Sequence, residues 1–464
     1  MPQEAGYGVS SLTQNNNLGG SPEKLSYGGD VGVGETDNVS LASTNKISQT
    51  LAVADANIDV LEQRRLFSVD AKGDFSYLDF LQGAYSPELI GRFDGIAKVS
   101  LLPEKVTWVV QDDFGQAQID PFAPVTPTNQ ENINYVSTGP DVDLRLGSLG
   151  FVDLTARYAR TIYQDSPFDN DKLLGSIAVG RAVSAGATAS LDASVQRTLF
   201  DNTVVNADFT RSSFYGDYEA KGVRTVLTAN LGITKVTQGA GSLTQGEESV
   251  PQGVEPVALP AQSVTGPLAK LKLSRRLSQA MKVTFTAGRD ITDASTSFSG
   301  LQNGAVSTPG TVQAVGSSGA VGTAPAPQTS SNYKVTYASL GWDYALSRTT
   351  ISASGQWEKD SYDGQPTLDL ERTTAQLAIT RKLSARFSAQ LLASVYRTDY
   401  SHVDYAETNG VAGINLSFQG PRGLLVRLRA DHVAQIAAGE GVNYEENRVF
   451  LTVGYQSVKA PGSL

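Results

Sequence analysis

Two histidines, His402 and His432, are the only imidazoles in a chain of 464 residues. A hydrolytic centre of the usual kind would have to use one of them. His432 follows Asp431 directly, and neighbours on a strand point to opposite faces, so the two cannot form an acid–base relay. His402 lies in TDYSHVDY, which reads as an external loop. Carboxylates are too common along the chain to single out a glycosidase pair. Zero cysteines exclude disulfides, zinc–thiolate sites, iron–sulfur clusters and thiol nucleophiles. Asp165, Asp169 and Asp171 in QDSPFDNDK supply oxygens at a spacing that calcium could use. The EF-hand register and its glycine are absent, and a solvated acidic loop accounts for the same residues. Gly28, Gly29, Gly32 and Gly34 crowd one segment. A phosphate-binding loop would need a helix after them. None is evident, so close strand packing is the expectation. The sequence therefore points to no cofactor and no enzyme.

Any functional side chain must be positioned by strands. Alternation with period two recurs through the chain. Phe67, Val69, Ala71, Gly73, Phe75 and Tyr77 share one face, opposite Ser68, Asp70, Lys72, Asp74 and Ser76. Leu424, Val426, Leu428, Ala430 and His432 oppose Leu425, Arg427, Arg429 and Asp431. These runs exceed the five or six residues usual in soluble sandwiches and suit a tilted crossing of a bilayer. No run of about 18 apolar residues occurs, so no transmembrane helix is expected. A mean hydropathy of -0.18 fits a barrel, because only alternate residues face lipid.

Short turns alternate with long polar segments. The short ones include LLPEKV, LGSLGF, RAVSAG, RRLSQAM, RKLSAR and FQGPRG; the long ones are 119–133, 237–264 and 293–331. Several turns share R/K-x-L/V-S: Arg181 to Ser184, Arg275 to Ser278, Arg381 to Ser384. The pattern predicts an all-β fold, a closed antiparallel transmembrane β-barrel of about 20 strands with short periplasmic turns and long external loops. The barrel is expected over 25–464, in the bacterial outer membrane. Residues 1–24, rich in Gly, Ser, Asn and Gln, are expected to be disordered or to tuck into the periplasmic mouth. The absence of a basic n-region and an apolar h-region at the start is read as a processed form.

In such a barrel, Lys270, Lys272 and Lys282 point inward from one hairpin. Arg427, Arg429 and Arg448 do so from the last hairpin. These two basic patches could guide an anionic polymer or solute. Asp70, Asp74, Asp94, Asp153, Asp192, Glu358 and Asp431 fall on the same face, so a charge-paired, hydrated wall is the alternative. A net charge of -10 argues against nucleic acid.

GVGETDNVSLAS (32–43), the Gly266–Pro267 step opening PLAKLKLSRRLS, and YEENRVFLTVGY (444–455) resemble the putative β-barrel porin 2 family and the related outer-membrane barrels of exosortase (PEP-CTERM) systems. That resemblance implies a conduit or scaffold for exopolysaccharide export or cell-surface secretion. The implied partners are outer-membrane lipid and lipopolysaccharide, with an anionic polysaccharide or periplasmic export components besides. Two other readings stand beside it: a general or substrate-specific diffusion porin, with an inward-folded 237–264 or 293–331, and a barrel enzyme acting on lipid or surface polymer.

Overall fold

In the computed structural model, residues 24–458 are described apart from 148–149, 204–205, 240, 244–256, 260–261, 303–328, 330 and 440. The expectation for 1–24 thus lies almost wholly outside the described residues. The first half of the wall is β1 (Lys24–Thr36), β2 (Gln49–Gln63), β3 (Phe67–Phe80), β4 (Glu88–Leu102), β5 (Val106–Gln118), β6 (Gln130–Arg145), β7 (Phe151–Tyr163), β8 (Asn170–Ser184), β9 (Ala187–Phe200), β10 (Phe209–Lys221) and β11 (Thr225–Gln238). A small hairpin, β12 (Gly241–Leu243) with β13 (Val257–Leu259), follows. The wall resumes with β14 (Gln262–Arg276), β15 (Met281–Asp293), β16 (Asn332–Ala345), β17 (Thr349–Tyr362), β18 (Leu370–Lys382), β19 (Phe387–Tyr400), β20 (Tyr405–Gln419), β21 (Leu424–Gly439) and β22 (Tyr444–Val458). One helix, α1 (Ala294–Gln302), follows β15.

The wall is a 20-stranded sheet in which each strand pairs antiparallel with its neighbour and β1 closes on β22. Close backbone approach explains the glycines at this seam. A Cβ on Gly32 would stand 2.0 Å from the Leu451 carbonyl oxygen, and one on Gly454 2.0 Å from that of Gly29. Both chain ends of the barrel fall on the side of the short turns, which is therefore the periplasmic side. Serine closes the recurring turns: Ser384 Oγ accepts the amides of Arg386 and Phe387, and Ser278 Oγ that of Ala280.

The alternation sorts the faces as expected. Val449, Leu451, Val453 and Tyr455 stand exposed on the outside, whereas Arg448, Phe450 and Thr452 are buried toward the lumen. Aromatic pairs such as Phe387–Phe418 and Tyr27–Tyr455 band the outside near the inner end. The apolar core is not one body. It is a set of clusters on the lumen face at the outer ends of strands, for example Val39, Leu51, Leu78, Phe80, Ile90 and Phe450. There the polar-inside rule fails, and the failure marks where chain folds inward.

Candidate functional site: the occluded outer lumen

Among the described residues, two connections reach across the outer lumen to distant strands. The first is 119–129, between β5 and β6. Asn129 staples it from within: its Nδ2 donates to the carbonyls of Asp120, Ala123 and Pro124, and its Oδ1 accepts the Asp120 amide at 2.7 Å. Pro121, Pro124 and Pro127 stiffen it further. Phe122, at its tip, packs on Tyr400 and Tyr405, with ring centroids 4.8 and 5.5 Å away. It also touches the cluster of Tyr333, Val335, Tyr337, Tyr362 and Leu368 on β16, β17 and the turn after it.

The second is the end of β15 with α1. Asp290, where β15 parts from β14 while still paired with β16, is held by Lys270 at 2.8 Å and Arg211 at 3.6 Å, and it accepts Thr234 Oγ1 at 3.1 Å. Ile291 then packs against Phe200, Phe209 and Val236. Asp293 caps α1, its carboxylate accepting the Thr296 amide at 3.0 Å and the Ser295 hydroxyl at 2.7 Å. Lys172 Nζ on β8 donates to the same carboxylate at 2.6 Å, with both side chains buried. Phe298 lies among Ala117, Ile133, Tyr135, Ala159 and Tyr163. The helix thus reaches from β15 to β6 and β7, and 119–129 reaches the other way. Between them they cross the outer lumen, α1 reaching β6 and β7 and 119–129 reaching β16, β17, β19 and β20. Toward the inner end, lumen-facing residues such as Lys72, Asp74, Lys282 and Asp343 are exposed.

The six basic residues singled out from sequence all lie on the wall strands assigned to them. Lys270 is in the Asp290 cluster just described. Arg427 meets Asp30 at 2.8 Å, and Arg429 meets Asp431 at 2.7 Å. Arg448 lies 3.8 Å from Asp431 and 3.9 Å from Glu446. Lys272 and Lys282, on adjacent strands, face the open inner half. Four of the six are therefore tied to carboxylates, and Arg429 is buried instead of bathed in water. His432 lies on the outer face, 2.9 Å from Asn447, and Asp431 on the lumen face. His402 is exposed in an outer loop, 3.7 Å from Asp369. Asp169 and Asp171 gather with Asp201 around Arg160, at 3.5, 3.3 and 2.5 Å, while Asp165 stands apart, its amide on Glu131. The Arg160 hydrogen bond holds the Asp201 carboxyl below its ordinary range. An arginine thus occupies the place that the calcium reading gave to a cation.

Sequence reasoning offered 293–331 as a segment that folds inward, and α1 (Ala294–Gln302) lies within it, but it missed 119–129 and the residues that anchor both struts. A signal for them existed: Leu78, Phe80, Tyr333, Tyr337 and Tyr400 place large apolar groups on the face that should be polar, always at the outer strand end.

No family model matches the chain, and no curated protein does. The resemblance to the porin 2 and exosortase-associated group rests on its short motifs alone. Solved structures do share the barrel. They include the FrpB iron transporter from Neisseria meningitidis (8% identity, TM-score 0.45, 94% of this chain and 81% of that one). The siderophore receptor PirA from Pseudomonas aeruginosa is also among them (11%, 0.41, 94% and 81%). So is the ferric-catecholate import receptor Fiu from E. coli K12 (9%, 0.42, 94% and 82%). The protein is a bacterial outer-membrane β-barrel. The expectation of a conduit or scaffold for exopolysaccharide export or surface secretion is corrected. The solved structures found alongside it are named as transporters and receptors for iron, copper and siderophores, which points to uptake and not to polysaccharide export. At these identities the likeness concerns the barrel and says nothing of the cargo of this chain.

Proposed function

We propose that the protein is a gated uptake barrel, admitting a solute from outside only when 119–129 and α1 withdraw from the lumen. The observation that carries this reading is the Phe122 contact with Tyr400 and Tyr405 on the far wall. A bare barrel of this strand number would leave an aqueous channel. Here segments of the chain itself cross the outer half, and lumen-facing charges in the inner half such as Lys72 and Lys282 stay exposed. Control is thus exercised where a solute would enter, which favours uptake over release.

The contacts that close the lumen are ones that can reopen. Phe122 is only partly buried and meets its partners through ring faces and edges; the Tyr400 hydroxyl donates to the Pro121 carbonyl at 3.5 Å, and the described residues place no ion pair at the tip. The α1 strut is held more firmly, by buried charge. The 119–129 loop is therefore the part expected to move first. Conductance of the purified protein in planar bilayers tests the reading. The wild type should be closed for most of the time, and deletion of 120–128 should give a steady open level. A wild type that conducts continuously, or a deletion that changes nothing, would remove the proposal.

A further inference from the structure

Twenty strands with both ends inside leave nine inner turns. Each exposes a leucine or valine in the turn or within two residues of it. Leu66, Leu146, Leu277, Leu346 and Leu383 are about half exposed, and Val223 is 97% exposed. Each also carries an arginine or lysine within the turn or close to the end of a flanking strand. Among the described residues, the only acid inside these turns is Glu104; at the flanking strand ends Glu62 meets Arg64 and Glu219 meets Lys221, and the remaining cations outnumber the acids. The whole chain carries -10, so this rim is opposite in sign to the rest of the molecule. The R/K-x-L/V-S repeat is the sequence form of the same feature. Its serine closes the turn, but turn closure needs neither the aliphatic residue nor the cation.

We propose that the inner rim is a docking ring for anionic glycerophospholipids of the inner leaflet. The leucines and valines would enter the edge of the acyl region, where exposed aliphatic groups gain most from leaving water. The guanidinium and ammonium groups would hold the phosphates above them. Two observations favour lipid over a periplasmic protein. The pattern runs round all nine turns, as contact with a surrounding leaflet requires, whereas a protein partner would need one side only. It also lies next to the inner aromatic band of Tyr27, Phe387, Phe418 and Tyr455, where the acyl region ends. Arg224, Arg348, Arg386 and Arg422 are exposed, and the described residues give them no carboxylate partner.

The test uses the full chain folded in nanodiscs of phosphatidylcholine mixed with phosphatidylglycerol. Lipid retained after mild extraction is counted by native mass spectrometry. Retention of phosphatidylglycerol should exceed that of phosphatidylcholine by at least about tenfold, since each basic residue near an anionic surface contributes roughly fivefold. The variant R224Q/R348Q/R386Q/R422Q should lose the preference, and R397Q, on the outer face of β19, should keep it. Heat-modifiable gel mobility reports folding; if the fourfold variant fails to fold, R348Q/R386Q should still reduce the ratio. Equal retention of the two lipids by the wild type would overturn the proposal, as would an unchanged ratio in the folded variant. Retention of an acidic periplasmic protein without any lipid preference would also overturn it and give the rim to that partner.

Discussion

The Phe122 ring lies 4.8 Å from that of Tyr400, although β5, which carries Phe122 into the lumen, and β19 stand eight strands apart around the closed sheet. A contact of that span cannot be made through the wall. It requires a loop stiff enough to cross the lumen without help, and the Asn129 staple provides that stiffness.

Asn129→Ala should therefore loosen the loop without unfolding the barrel. It removes three donated hydrogen bonds and one accepted one, from a side chain that is largely buried. A loss of roughly 1–3 kcal/mol in local stability is expected for buried groups left unsatisfied. Amide exchange confined to 119–129 should rise, with the strand amides unchanged. Exchange that rises equally through β5 and β6 would show that the loop and the wall unfold together.

The second strut depends on charge. Lys172 and Asp293 are 2.6 Å apart with side-chain exposures of 4% and 6%. Removing one partner from such a pair costs about 3–5 kcal/mol, because the other stays buried and uncompensated. Lys172→Met and Asp293→Asn should each loosen α1, and the double variant should be less impaired than the sum of the two. A double-mutant cycle on unfolding in lipid, with zero coupling energy, would contradict the pairing.

The barrel was legible in the sequence because its two signals are long and repeated. Alternation places Leu428 outside and Arg429 inside with no ambiguity, and short turns alternate with long loops along the whole chain. Strand starts such as those at Phe151, Ala187, Met281, Asn332 and Thr349 follow directly. The lumen contents were not legible in the same way. That Lys270 would meet Asp290 depends on β15 parting from β14 just before that residue while keeping its pairing with β16, and no local pattern encodes the parting. Which carboxylate each arginine finds is set by register across several strands. Arg427 finds Asp30, 397 positions away in the chain. The basic patches looked like a path when read along one hairpin, but most of their charge is answered by strands elsewhere in the barrel.

On the outer rim, Arg160 gathers Asp169, Asp171 and Asp201. The Asp201 carboxyl is held below its ordinary value of 3.8 by the Arg160 hydrogen bond, against a smaller opposing effect of burial. A carboxyl depressed in the folded state stabilises above its unfolded value and ceases to do so as pH falls through the folded one. The contact should thus persist at neutral and mildly acid pH and fail only below the usual carboxylate range. Both groups are partly exposed, so the effect on overall stability is small. Carbon-13 titration of Asp201 should show its midpoint rise toward 3.8 in Arg160→Gln. A midpoint that does not move would assign the shift to another group.

The register itself has the most direct test. Leu428 faces outward on β21 with 44% exposure, flanked by Leu416 on β20 and Leu451 on β22. Ser354 faces the lumen on β17, between Gly341 on β16 and Gln376 on β18. The two differ in environment although both sit on well-paired strands. Arginine at 428 must hold a guanidinium in hydrocarbon or reach several ångströms to the interface. The cost is roughly 2–4 kcal/mol near the midplane and falls toward either surface. Arginine at 354 gains water in the open part of the lumen, with Asp343 on the neighbouring strand facing the same way. Folding free energies of Leu428→Arg and Ser354→Arg, measured by denaturant titration into lipid vesicles, should therefore differ by most of that amount. A shift of one residue in either strand would exchange inside for outside. Equal costs would show that one of the two strands is out by a single position, and a larger cost at Ser354 would show that the lumen there is closed to water.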